Sequence, residues 1–182
     1  MAVNNIIKRI QNIMRQDAGI NGDAQRIEQM TWMFFLKVYD TQEETWEYKD
    51  ENYKSIIPED LRWRNWAVDE KDGEALTGEA LLSFVNEKLF PALKNLPIDA
   101  NTPRAKSYLF RKHFADLNQY MKNGTLLRQV VNIVNEIEFD DADDRHTFGD
   151  IYEGILKDLQ SAGNAGEFLY PTSIDRFYCD DA

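Results

Sequence analysis

Apolar positions recur along most of the chain at helical spacing. Ile6, Ile7, Ile10, Ile13 and Met14 share one face of a predicted first helix, with Lys8, Arg9, Asn12 and Arg15 opposite, ending near Gly19. A second helix starts around Asn21 to Asp23, either of which can accept hydrogen bonds from first-turn amides, and runs through Ile27, Met30, Phe34 and Val38. Trp32, Met33, Phe35 and Leu36 fall between those positions, so this helix is apolar nearly all round and is read as central and buried.

The pattern dissolves from Glu43 to Gly73, around Pro58 and Arg62-Trp63-Arg64-Asn65-Trp66, which predicts an irregular connection of turns or short strands pinned by tryptophans. Thr77 then caps a helix carrying Leu81, Leu82, Val85, Leu89 and Phe90, with a kink or break expected at Pro91. A loop over 97–103 precedes a helix over about 104–121, stopped by Asn123-Gly124. Thr125 opens the next helix, which buries Leu126, Leu127, Val130, Val131, Val134 and Ile137, and a last one covers about 150–160. The expected fold is mainly α, a five- to six-helix bundle-like domain with an irregular central connection.

Composition fits a folded, soluble protein: 43% hydrophobic, 29% charged and 12% aromatic residues over 182 positions, enough for one core. The lone Cys179 excludes a disulfide framework and points to a reducing cytoplasm. No signal peptide is apparent, and the longest apolar run, Trp32 to Leu36, is too short to span a bilayer. A net charge of −11 opposes autonomous binding to a phosphate backbone, so any DNA contact must be local or shared with a partner. The candidate phosphate contacts are Arg104, Lys106, Arg111 and Lys112, with Ser107 and His113 as helpers; the alternative is a solvated helix face balancing nearby acids.

Signals for catalysis are missing. No Gly-x-Gly occurs among nine glycines, and no proline follows an asparagine or aspartate as in the loop that holds a flipped base. His113 and His146 lack metal-ligand spacing and are read as surface or cap residues. The run Asp140 to Asp144 fails as a calcium loop because Arg145 follows it; it is read as a solvated turn. Trp32, Phe34, Trp63 and Trp66 could stack bases, but their apolar neighbours favour core packing. No catalytic residue and no metal ligand is assigned.

The segment Phe148-Gly-Asp-Ile-Tyr-Glu-Gly-Ile-Leu156, followed by Gly163-Asn-Ala-Gly-Glu-Phe168, resembles the modification subunits of type I restriction enzymes, which are adenine-specific DNA methyltransferases. Asp23 to Lys37 is similar to that family's second helix, and the resemblance covers residues 1–168. It implies a helical amino-terminal domain that packs beside an S-adenosylmethionine-binding methyltransferase domain. The implied partners are a specificity subunit, a restriction subunit and another modification subunit, with double-stranded DNA enclosed by the complex. It also implies that Gly166, Glu167 and Phe168 form a partial cofactor motif, while the loops for transfer to adenine N6 come after it, so that this chain alone is inactive and holds no cofactor. An alternative from another class is an acidic, non-enzymatic interaction protein that regulates or blocks a restriction complex. Where the family reads Phe-Tyr-Thr-Pro-Arg, this chain reads Phe168-Leu-Tyr-Pro-Thr-Ser173. One extra C after a TTC codon produces such a change, so residues 169–182 are expected to be a divergent, frameshifted tail.

Overall fold

The computed structural model describes residues 3–69, 75–97 and 106–137. The predicted helix over 150–160, His146, the run Asp140 to Asp144, the Gly166 to Phe168 motif and the tail 169–182 lie outside the described residues. Among the described residues the fold is mainly α and contains no strand.

Helix α1, Val3–Met14, places Ile6, Ile7, Ile10 and Met14 in the core, as their spacing requires. Helix α2, Asp23–Lys49, is longer than its apolar pattern suggests, because its last turns bury Tyr39, Asp40 and Glu43 instead of a continuous apolar stripe. Neither Asn21 nor Asp23 caps it. Gly22 is the N-cap, with a φ of 115° that favours glycine, and Asp23 sits in the first turn paired with Arg26.

The central connection is irregular but not stranded. A 3₁₀ turn, Glu59–Leu61, leads into the single-turn helix α3, Trp63–Trp66. Pro91 does not break the following rod, where helix α4, Gly78–Ser83, passes through a π turn, Phe84–Leu89, into helix α5, Phe90–Lys94. Proline lacks an N–H and its ring would crowd the carbonyl four residues back. The turn before it widens, so that the Phe90 N–H reaches Val85 O, five residues back.

Helix α6, Lys106–Ala115, is shorter than expected, and helix α7 covers Gly124–Asn135. Asn123-Gly124 is a start and not a stop: the Asn123 side chain accepts the amides of Thr125 and Leu126 as the N-cap of α7. With α4 and α5 joined into one rod, the described residues make six helical rods.

Helix α7 packs on α1, α2 and α4, and α5 packs on α6. Leu127, Val130, Val131 and Val134 are wholly buried, each stabilising the domain by about 1.5–3 kcal/mol through transfer from water. On the other side of α2 an aromatic layer forms, with Trp32 edge-on to Phe90 at 5.3 Å and Phe35 edge-on to Phe110 at 4.9 Å.

Candidate functional site

The Arg62 to Trp66 stretch is a wedge between the central connection and the core. Trp63 and Trp66 are buried edge to face at 5.0 Å, and their indole N–H groups donate to Asn135 Oδ1 at 2.8 Å and Leu61 O at 3.2 Å. Trp32 and Phe34 are buried as well, so these four rings are core and offer no stacking platform. The adjacent cations turn back onto α2. Arg64 donates to Asp40 Oδ1 at 3.0 Å and to Glu47 Oε2 at 2.8 Å, while Arg62 reaches Glu47 Oε1 at 3.0 Å. Burial pushes the Asp40 carboxyl above its ordinary range, and the bonds from Arg64 offset part of that rise.

The predicted phosphate contacts do not form one surface. Arg104 lies outside the described residues. At about 100° per residue, Lys106 falls on the same side of α6 as buried Phe110 and Phe114, and its ammonium sits 3.3 Å from the centre of the Trp46 ring. Lys112 projects from the opposite side beside exposed Tyr108, and Arg111 lies half-buried at the margin. No salt bridge within the described residues holds Arg111 or Lys112. His113 is neither surface nor cap: its ring stacks on Phe35 at 4.2 Å, and its Nε2 is buried without a hydrogen-bond partner. Burial lowers its pKa to about 4, so the imidazole is neutral near pH 7.

Two features escaped the sequence pattern. The first is a polar cluster inside the domain, where the fully buried Glu43 carboxylate accepts the hydroxyls of Tyr53 at 3.0 Å and Ser55 at 2.5 Å. Burial, with the Glu43 charge, pushes both the Tyr39 and Tyr53 hydroxyls up, so they stay protonated donors. The second is a cleft of about 440 Å³ between α3 and the α4–π rod, floored by Trp66, Leu76 and Phe84 and rimmed by Asp60, Arg64, Asp69 and Lys88. Arg128 of α7 pins its base, donating to the backbone carbonyls of Trp66, Ala67 and Leu76 at 3.1, 2.7 and 2.7 Å. No sequence periodicity marks either feature, because both depend on side chains brought together from separate segments.

Among the described residues no group of three or more His, Cys, Asp or Glu side chains is placed to hold a metal, and no helix is long and apolar enough to cross a membrane. The described glycines serve the chain itself: a Cβ on Gly19 would meet Tyr120 O, one on Gly124 would meet Gly78 O, and Gly22 and Gly78 supply positive φ. None forms a nucleotide cradle of the kind a glycine-rich turn provides.

Comparison with known proteins agrees with the helical geometry. The chain is 54% identical over 179 residues to the type I restriction enzyme EcoEI methylase subunit of Escherichia coli, an alignment covering 97% of this chain and 35% of that protein. The chain thus spans about a third of the length of the curated relative it matches. A crystal structure of a modification subunit of a candidate type I restriction enzyme from Vibrio vulnificus YJ016 matches with a TM-score of 0.77 and 31% identity, over 97% of this chain and 39% of that one. A chain from a structural study of complex assembly and conformational transition in the type I restriction-modification system matches with a TM-score of 0.69 and 34% identity, covering 87% of this chain and 30% of that one. Residues 3–134 match the HsdM N-terminal domain, and the chain belongs to that family of type I modification subunits.

Proposed function

We propose that this helical domain is a docking module of a type I modification subunit: it meets the specificity subunit and a second modification subunit and helps close the assembly, with its restriction subunit, around double-stranded DNA. The observation that carries the reading is the likeness, at 31% and 34% identity, to two solved chains of type I systems over almost all of this chain. Transfer of a methyl group from S-adenosylmethionine to adenine N6 belongs to a domain beyond residue 168. The residues suggested for the cofactor, Gly166, Glu167 and Phe168, lie outside the described region, and none of the described glycines forms a nucleotide cradle.

The exposed side of α6 bearing Lys112, with Arg111 at its edge, is the part of the domain best suited to face phosphate, with Arg104 as a further candidate. Lys106 would have to leave Trp46 to join them. Tagged chain should retain the specificity subunit, and the resulting complex should retain duplex DNA at low salt and less at moderate salt. Replacing Arg111 and Lys112 by alanine together should reduce DNA retention without reducing subunit retention. Failure to retain the specificity subunit would overturn the docking role.

The acidic interaction protein remains a second reading, favoured by the charge of −11 and by the turning of Arg62 and Arg64 onto carboxylates. It predicts that added chain displaces the full-length modification subunit from its complex and lowers restriction. The docking module predicts co-assembly with no displacement at equimolar ratio.

A further inference from the structure

The cleft between α3 and the α4–π rod belongs to neither the α6 surface nor the methyl-transfer expectation, and its 440 Å³ lies within the range of about 300–1,000 Å³ typical of ligand sites. It already holds a cation of its own. The Lys88 ammonium lies 5.7 Å from the centre of the Phe84 ring and 2.5 Å from Asp60 Oδ2. That arrangement is weakly held, because the two side chains are 56% and 57% exposed and water competes for both charges.

The charge balance around the cleft selects the sign of a ligand. Arg64, the other cation among the described residues of the rim, is turned onto Asp40, Glu44 and Glu47, and Arg62 also pairs with Glu47. Arg64 is thus committed to carboxylates of α2 behind the cleft, so among the described lining residues an anion finds no uncommitted arginine. Lys88 is the movable charge. If it swings out to solvent, the place its ammonium holds, 2.5 Å from Asp60 Oδ2 and 5.7 Å from the centre of the Phe84 ring, is left to another cation. A guanidinium suits that pair better than an ammonium does, since its planar fork can take both carboxylate oxygens while its face lies on the ring.

We propose that this cleft receives an arginine side chain from a partner polypeptide, which displaces Lys88 from Asp60 and Phe84. The chain's net charge of −11 favours approach of a basic segment of that kind. This site is independent of the α6 surface, so its failure would leave the proposed subunit contacts standing.

The test uses the whole 182-residue chain. N-acetyl-arginine amide is titrated against it while the indole N–H resonance of Trp66 is followed, with N-acetyl-citrulline amide as a neutral control of the same shape and free arginine as a second comparison. Saturable binding of the arginine amide is expected, at least tenfold tighter than citrulline and no weaker than free arginine. Asp60→Asn should weaken it at least fivefold. Lys88→Met should tighten it at least threefold, because the resident competitor is gone, and this exposed change does not threaten folding. A non-saturable response, equal binding of citrulline, tighter binding of free arginine, an unaltered affinity in Asp60→Asn, or no tightening in Lys88→Met would each overturn the proposal.

Discussion

The carboxylate of Asp17 accepts the backbone amide of Asn123 at 2.9 Å, which fastens the turn after α1 to the N-cap of α7. The same side chain accepts the amides of Gly19 at 2.7 Å and Lys122 at 2.9 Å, and it is only 3% exposed. Three backbone donors therefore depend on one side chain. Replacing Asp17 by alanine should lower unfolding stability by about 2–4 kcal/mol, because those amides lose a charged acceptor in a place where water cannot easily substitute. Asn should cost less than Ala, since its remaining oxygen can keep the bonds to Gly19 and Lys122. Urea unfolding of both variants checks the order; equal losses would show that the amides find water instead.

Gly124 and Gly78 set how closely α7 approaches α4. A Cβ on Gly124 would come within 1.8 Å of Gly78 O, which is backbone and cannot rotate aside. Gly124→Ala should therefore separate the two helices and cost several kcal/mol, on the order of an overpacked core position. Gly78 faces open space but has a φ of +55°, so Gly78→Ala should cost only about 1 kcal/mol, from backbone strain. Thermal melts of the two variants should show the larger loss at Gly124, and the reverse order would contradict this reading of the packing.

The stacked imidazole of His113 gives the fold a defined pH response. Its ordinary pKa of 6.5 is the unfolded value, and burial lowers it to about 4 in the folded domain. Between those values the unfolded chain binds more protons than the folded one, so stability rises with pH. The contribution is fully present above about pH 6.5 and is lost as pH falls through that window toward 4, up to about 3 kcal/mol. His113→Phe, which keeps a ring against Phe35, should flatten this part of the stability curve. In the parent protein, the ring protons of His113 should titrate well below those of an ordinary histidine; a midpoint near 6.5 would show that the ring is hydrated.

What could be read from the chain was the apolar framework. The spacing of Ile6, Ile7, Ile10 and Met14, and of Leu127, Val130, Val131 and Val134, reflects helical geometry directly, so those faces and the buried α2 were legible. The end of α2 was not, because Asp40 and Glu43 are buried by partners, Arg64 and the hydroxyls of Tyr53 and Ser55, that lie 10 or more positions away. Asn123-Gly124 misled for a local reason: both residues suit a helix end, but here the Asn side chain caps forward while the glycine is required by contact with Gly78. Of the proposed phosphate contacts, charge alone could not show that Lys106 lies on Trp46 while Lys112 points to solvent.

Arg128 shows how far a single buried cation can organise the irregular region. Its guanidinium is joined to three backbone carbonyls, two at the end of α3 and one at Leu76, so it ties together the two sides of the stretch between them. Burial holds its pKa below the ordinary arginine value, although the Asp69 charge opposes this. Lysine carries the same charge but not the planar fork, so it can reach one or two of these carbonyls and must leave another without its donor. Arg128→Lys should therefore cost about 2–3 kcal/mol, and Arg128→Met more, as both cleft walls lose their common anchor. Amide hydrogen exchange near Trp66 and Leu76 should accelerate in both variants while the amides of α1 change less. If exchange instead rises uniformly across α1, α2 and α7, Arg128 supports the global core and the two sides of the cleft are held by other contacts.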